Sequence, residues 1–176
     1  LAGESLELAL HFTIPEGWHI YWSNPGDSGM KTEAQLSGPD GVTFSPLRYP
    51  GPERYADAGG LVNYVYASET ALFFDAFLPA DATGPQHIEA EASWLVCKER
   101  CIAQKATASA TIPLKKKPRG IKPTHHERLV KQRARLPEPL GPSGQFTLAR
   151  ERDGEGWVLQ ARLVATLPAT LYPSVE

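Results

Sequence analysis

Two cysteines, Cys97 and Cys101, are the residues of this sequence whose type and spacing could do chemistry. A disulfide between them needs Cα atoms within about 7 Å of each other. A fully extended chain would hold these two Cα atoms about 13 Å apart. A bond therefore requires a turn, and the polar run Lys98-Glu99-Arg100 between the cysteines suits one.

Three kinds of chemistry fit such a pair. As a structural disulfide it would close a very short loop and contribute only about 2 kcal/mol. As a redox pair it would switch between dithiol and disulfide, with Lys98 and Arg100 favouring the thiolate and Glu99 opposing them. As a metal site it is the least favoured, because none of the 5 histidines is spaced to complete a zinc shell. The spacing alone ranks the structural and redox interpretations equally.

Short β-strands must position the cysteines. Leu6, Leu8, Leu10 and Phe12 alternate with more polar residues, which predicts a strand with one buried face. Trp18 to Trp22 is aromatic-rich and β-prone. Similar patterns predict strands over 31–36, 42–44, 47–49, 62–66, 71–78, 87–96 and 105–112. With 15 Gly and 16 Pro marking the turns, the sequence favours an all-β sandwich or barrel over a helical bundle.

The composition changes after residue 113, which ends the predicted first domain, 1–113. Residues 114–143 contain a basic, proline-containing run and are interpreted as a linker. Thr124, with Glu127 three residues later, has the spacing of a capping box and predicts a short helix as far as Leu136. Residues 144–176 predict a β-hairpin, which either begins a second domain or docks on the first.

Charge and hydropathy exclude two classes of function. The net charge of -2 and the pI near 6.2 lack the basic footprint of a nucleic-acid binder. No stretch approaches the roughly 18–20 consecutive apolar residues of a membrane helix. The first residue is Leu1 rather than Met, so we expect a processed or excised chain.

Two long motifs resemble those of a known family. Residues 18–29 read WHIYWSNPGDSG, and residues 94–102 read WLVCKERCI, so the second motif contains both cysteines. Together they resemble the N-terminal periplasmic domain of the DsbD-type thiol–disulfide interchange proteins, particularly the ScsB-like branch. The resemblance covers roughly residues 5–113.

The resemblance implies a fold and a function. The fold would be an immunoglobulin-like β-sandwich in the periplasm, as one domain of an inner-membrane protein. Cys97 and Cys101 would be the redox-active pair, with Cys101 bonding to partners and Cys97 resolving. The domain would need no bound cofactor. Reducing equivalents would come from the transmembrane and thioredoxin-like domains of the same protein and pass to periplasmic thiol proteins, such as disulfide isomerases or cytochrome c maturation factors.

The resemblance also implies the surroundings of the pair. A cap loop near residues 61–66 would shield the cysteines, with Tyr64 or Tyr66 over them, Val65 in the place of a family Phe, and Trp94 nearby. Four further residues would tune the cysteine pKa values: Asp27, Lys98, Glu99 and Arg100.

Two alternatives of other classes stay open. The chain could be a non-catalytic immunoglobulin-like binding module with a static disulfide. It could also be a copper-handling domain, because the ScsB-like branch is associated with copper tolerance and thiolates suit soft metals.

Overall fold

A computed structural model describes residues 2–114, 126–138, 145–154 and 156–164 of the chain. In chain order, the elements of these residues are β1 (Ser5–Thr13), β2 (His19–Gly26), β3 (Glu33–Ser37), β4 (Thr43–Phe44), β5 (Glu53–Ala56), β6 (Val62–Tyr66), β7 (Glu69–Phe77), β8 (Gln86–Cys97), β9 (Cys101–Ile112), α1 (His126–Arg133), β10 (Gln145–Asp153) and β11 (Gly156–Val164). They fall into two compact units, of which the first holds β1 to β9 with α1 and the second holds β10 and β11.

Two antiparallel sheets build the first unit. The first sheet has the order β1-β7-β4, and the second has the order β3-β8-β2-β6-β5. Strand β9 pairs with β8 over the full 12 residues of both strands. Phe12 of the first sheet meets Trp94 of the second edge to face, with ring centroids 5.3 Å apart. The sheets therefore pack face to face as a sandwich.

Alternation along the strands fills the space between the sheets. Leu6, Leu8 and Leu10 on β1 pack against Phe74 and Ile88, as the sequence pattern predicted. Strand β7 lies between β1 and β4 and is buried on both faces from Thr70 to Phe74, so its apolar run does not alternate. Burial of this apolar surface drives the folding of the unit.

The predicted all-β, immunoglobulin-like sandwich is confirmed, but its strands differ in places from those predicted. Residues 47–49 were predicted as a strand but contribute only an isolated bridge between Arg48 and Phe73, because the prolines at 46 and 50 on either side cannot donate to a ladder. Residues 53–56, where the sequence predicted no strand, form β5. All four residues are exposed, so no hydrophobic pattern marks the strand, and pairing with β6 holds it in place. Strand β9 begins at Cys101 rather than at Lys105, because backbone pairing with β8 continues to the tip of the hairpin.

Helix α1 belongs to the first unit. Arg133 forms an ion pair with Glu7 at 3.1 Å, and the buried Gln132 donates a hydrogen bond to the Glu69 carbonyl at 3.3 Å. Arg135, just beyond the helix, donates to the Gly51 carbonyl. The unit thus extends past residue 113. The predicted helix is confirmed in shorter form, and its proposed cap, Thr124, lies outside the described residues.

The second unit contains the predicted C-terminal hairpin. Strands β10 and β11 pair antiparallel from Gln145 opposite Val164 to Asp153 opposite Gly156. The assignment of residues 144–176 to a second domain stays a prediction. Within the described parts of the chain, no helix has the length and apolar character needed to cross a membrane.

Candidate functional site: a disulfide at the tip of a hairpin

The cysteines end one strand and begin the next. Cys97 is the last residue of β8, Cys101 is the first of β9, and the two are partners in the β-ladder. Residues 98–100 make the turn between them, closed by a hydrogen bond from the Lys98 amide to the Arg100 carbonyl at 3.2 Å. The Cα atoms lie 4.1 Å apart and the sulfurs are bonded. The turn that a disulfide requires at this spacing is therefore present.

The two sulfurs differ in their access to solvent. Cys97 is only 2% exposed, whereas Cys101 is exposed to solvent. Cys101 is therefore the sulfur that is open to solvent. Cys97 is reached through Cys101 or after a rearrangement of the surrounding side chains.

The second sheet has two faces at this end, which separate alternate residues of the same strands. The inner face turns toward the first sheet and carries Ile20, Trp94 and Val96. The two cysteines lie on the outer face. On it His19 is the ladder partner of Cys97, and Tyr21 is the partner of Val65.

A small cluster buries Cys97 on the outer face. Tyr21, Val65 and Cys97 are each 3% exposed or less and pack together, with Leu95 against them. Val65 therefore lies beside the disulfide, in the segment that the family resemblance assigned to the cap. The cluster excludes water from Cys97, which strengthens electrostatic interactions with its sulfur.

Tyr21 and His19 form a hydrogen-bonded chain to the cysteines. The Tyr21 hydroxyl donates to Cys97 Sγ at 3.4 Å and lies 3.9 Å from Cys101 Sγ. His19 Nε2 lies 3.4 Å from the same hydroxyl. Burial raises the pKa of Tyr21 and lowers the pKa of His19, because both rings are desolvated in their charged forms. At neutral pH both groups are therefore uncharged.

Tyr55 covers the outer side of His19. Their ring centroids lie 5.0 Å apart, and Tyr55 itself is 42% exposed. Tyr55 comes from β5, the strand that the sequence pattern did not reveal. The aromatic residue at this edge of the site is thus supplied by the β5–β6 hairpin.

The NPGDSG motif closes the other side of the cluster. Asp27 pairs with Val62 twice, through its amide at 2.9 Å and its carboxylate at 2.8 Å. Ser28 donates to the Asn63 side chain from its amide and its hydroxyl. Gly29 lies directly on the Tyr21 ring, and any Cβ there would overlap it. The motif therefore ties β2 to β6 and seals Tyr21.

The structure separates the other predicted site residues from the cysteines. Trp94 lies on the inner face against Phe12. Tyr64 packs edge to face on Trp22 at 6.0 Å, and Tyr66 donates its hydroxyl to the Pro50 carbonyl at 2.7 Å. In β6 both tyrosines have the opposite parity to Val65 and therefore face away from the disulfide.

The predicted pKa-tuning residues have two different placements. Lys98, Glu99 and Arg100 are exposed in the turn that joins the cysteines. The Lys98 ammonium lies over Gly17, where an added Cβ would be 3.2 Å from its Nζ. Asp27 makes its contacts with Val62 rather than with sulfur.

Sequence reasoning missed His19, Tyr21 and Tyr55 as site residues. The aromatic run at 18–22 predicted a strand without a chemical role, and the burial of Ile20 and Trp22 fits that prediction. A period of two in this run already places His19 and Tyr21 on the face opposite Ile20. The signal for them was therefore present, whereas the fully exposed β5 left none for Tyr55. Among the described residues, no group of three or more His, Cys, Asp or Glu side chains could hold a metal ion.

These features define a class of protein: a β-sandwich domain with an accessible disulfide at the tip of one hairpin. The chain belongs to the family described as the N-terminal domain of the thiol:disulfide interchange protein DsbD, whose model matches residues 1–113. No curated protein sequence matches the chain significantly.

A solved structure is similar in fold. The crystal structure of the N-terminal periplasmic domain of ScsB from Proteus mirabilis superposes with a TM-score of 0.54. The match covers 93% of this chain and 73% of that chain, at 15% sequence identity. At this identity the likeness supports the architecture alone.

Proposed function

We propose that this chain is a periplasmic thiol–disulfide relay domain that transfers reducing equivalents to disulfides of other proteins. The observation that carries the proposal is the unequal burial of the bonded cysteines, with Cys101 exposed and Cys97 2% exposed. A relay needs one sulfur that partners can reach and one that can release them. Membership of the DsbD N-terminal family supports this function.

The reductive step begins at Cys101. Its thiolate attacks a substrate disulfide, forms a mixed disulfide and expels one substrate thiolate. The Cys97 thiolate then attacks Cys101 Sγ, which reforms the Cys97–Cys101 bond and releases the second substrate thiolate. The substrate gains two electrons and the domain loses two. No bound cofactor is needed, since the cysteine pair itself holds the electrons.

The domain is recharged by the reverse exchange. A thiolate of a reduced dithiol partner attacks Cys101 Sγ and breaks the Cys97–Cys101 bond, and the electron pair of that bond goes to Cys97. The partner's second thiolate then releases Cys101. In this proposal the electron donor is a thioredoxin-like domain, supplied in turn by a transmembrane domain of the same inner-membrane protein. The acceptors are periplasmic thiol proteins of the disulfide isomerase or cytochrome c maturation type.

The reduction potential of the cysteine pair tests the proposal first. Titration in glutathione buffers, followed by thiol alkylation, is expected to give a value of roughly −120 to −270 mV, as in thiol oxidoreductases. A value below about −300 mV would identify a static disulfide, and the chain would then be a sandwich module without exchange activity.

Trapping of mixed disulfides tests the roles of the two cysteines. A Cys97→Ser variant, with Cys101 first converted to a mixed disulfide with 2-nitro-5-thiobenzoate, is expected to react with a reduced thioredoxin whose resolving cysteine has been replaced by Ser. The thioredoxin thiolate attacks Cys101 Sγ, the nitrothiobenzoate leaves as a thiolate, and the mixed disulfide between the two proteins accumulates. A Cys101→Ser variant, the matched control, should form none while keeping a folded circular dichroism spectrum. If only Cys101→Ser gave the adduct, the roles would be reversed.

A further inference from the structure

The buried cysteine has no direct contact with bulk water through which it could lose a proton. Cys97 is 2% exposed and packs among Tyr21, Val65 and Leu95. When the pair is reduced, Cys97 carries a thiol proton, because its buried apolar surroundings disfavour the charged thiolate. Resolution of a mixed disulfide needs the thiolate. The proton must therefore pass to a group inside the cluster.

Tyr21 is the polar group placed to take this proton. Its hydroxyl oxygen lies 3.4 Å from Cys97 Sγ and 3.4 Å from His19 Nε2, so it bridges sulfur and imidazole. A hydroxyl has one proton to donate and two lone pairs. In the disulfide state Cys97 Sγ can only accept, so the tyrosine donates to it and His19 Nε2–H donates to the tyrosine oxygen.

Reduction reverses the direction of both hydrogen bonds. The Cys97 thiol can then donate to the Tyr21 oxygen, and the tyrosine proton turns toward an unprotonated His19 Nε2. We propose that Tyr21 and His19 form a proton path from Cys97, used when Cys97 releases a bound partner. The inference rests on the proposed relay function and deepens it by assigning the proton acceptor.

The thiol proton of Cys97 moves to the Tyr21 oxygen as the tyrosine proton moves to His19 Nε2, which leaves a Cys97 thiolate and an imidazolium. The Cys97 lone pair forms the bond to Cys101 Sγ, and the bond between Cys101 and the partner breaks. The electron pair leaves on the partner's sulfur, and His19 later returns its proton to solvent at its Tyr55 side.

The surroundings of His19 favour a neutral acceptor. The imidazole is 8% exposed, and burial lowers its pKa, so it is unprotonated at neutral pH. The half-exposed Tyr55 ring lies between the His19 imidazole and solvent. The titratable or charged groups that face the Tyr21–His19 pair include Glu53 and Tyr55 on β5, Asp57 after β5, Cys97 on β8, Lys98 in the turn and Cys101 on β9. His19 does not touch the sulfur. It acts on Cys97 only through the Tyr21 hydroxyl, whose proton it orients and accepts.

An aromatic disulfide with a coloured leaving thiolate, DTNB, separates the two halves of the reaction. Mixed with the reduced domain, it releases one thiolate when Cys101 attacks and a second when Cys97 resolves. Stopped-flow absorbance across the pH range gives both rate constants in one experiment. A Cys97→Ser variant should give the first release alone and marks the second phase.

Three variants test the path. Tyr21→Phe and His19→Gln are each expected to slow the second release by about 10²-fold near neutral pH, with the first release little changed. In the unsubstituted chain the second rate should fall as His19 becomes protonated at low pH, and His19→Gln should abolish that inflection while keeping a hydrogen-bonding amide. Tyr49→Phe, which removes a tyrosine hydroxyl bonded to the Thr32 carbonyl elsewhere in the unit, should match the unsubstituted chain.

The outcomes distinguish this inference from the proposed function. Second-release rates in Tyr21→Phe and His19→Gln that stay within twofold of the unsubstituted chain at every pH would overturn the proton path and leave the relay standing. Absence of a second release from the unsubstituted chain would instead overturn the relay. The first release serves as the check that each variant is folded and reactive.

Discussion

The two faces of the second sheet at the cysteine end are built from neighbouring residues and differ in chemistry. The inner face is apolar and borders a cavity of about 420 Å³, whose lining includes Phe12, Ile14, Trp18, Ile20, Trp94 and Ile102. The outer face places an imidazole, a phenol and a disulfide in one hydrogen-bonded chain. Strand alternation thus lets two adjacent residues, Ile20 and Tyr21, serve packing and chemistry separately.

The largest expected effect comes from the inner face. Ile20→Ala removes a side chain that is 1% exposed and should lower the unfolding free energy by about 4 kcal/mol, through lost burial and a new cavity. Urea denaturation measures the loss. Both DTNB rate constants of the folded variant should be unchanged, and a slowed second release would show that the two faces are not separate.

Gly29 tests how tightly the outer face is sealed. Gly29→Ala places a methyl group on the Tyr21 ring at a residue with φ of 90° and should cost about 3 kcal/mol of unfolding free energy. The matched control is Gly84→Ala, where φ is 69° and no atom lies within 4 Å of the added Cβ. That variant should lose only about 1 kcal/mol. Equal losses would mean that backbone strain, rather than contact with Tyr21, sets the effect.

The buried imidazole makes stability depend on pH. Burial lowers the pKa of His19 below its ordinary value of 6.5, so the unfolded chain binds more protons at this site in mildly acidic solution. The unfolding free energy should therefore fall as the pH drops below 6.5 toward the folded pKa. His19→Gln should reduce this fall, whereas His87→Gln, at an exposed histidine, should preserve it. Identical pH profiles for the two variants would contradict the assignment.

The smallest expected effect is that of the covering ring. Tyr55→Ala removes an aromatic side chain that is 42% exposed and should lower the unfolding free energy by about 1 kcal/mol. Because it opens His19 to water, the His19 pKa should rise toward its ordinary value. An NMR titration of the imidazole measures this change, and a pKa that does not rise would show that other residues desolvate the ring.

The fold was predictable wherever a strand has one solvent-exposed face and one buried face. Alternation in β1 and the turn residues between strands were enough to predict a sandwich, and the two motifs identified the family. Strand β5 was not predictable, because its four exposed residues carry no hydrophobic pattern and only pairing with β6 defines it.

The site was predictable in its sulfur atoms and less so in their neighbours. The cysteine spacing required a turn, and the turn is there. The surroundings inferred from the resemblance included Tyr64, Tyr66 and Trp94, which the parity of β6 and β8 places on the other face. Local alternation assigns a side chain to one face of a strand, but the register across three strands decides which side chains on that face meet a sulfur atom.

The ladder between β8 and β9 has a consequence for turnover. The cysteines sit at the end of a pairing that runs over 12 residues, so backbone hydrogen bonds hold the two strands together. The disulfide closes a loop so short that opening it frees little chain entropy. In the proposed relay, the reduced and oxidised domains are therefore expected to keep the same β8–β9 pairing. In the proposed relay, a partner that distinguishes the reduced domain from the oxidised domain must therefore recognise the sulfur atoms and the protons beside them rather than a change in the backbone.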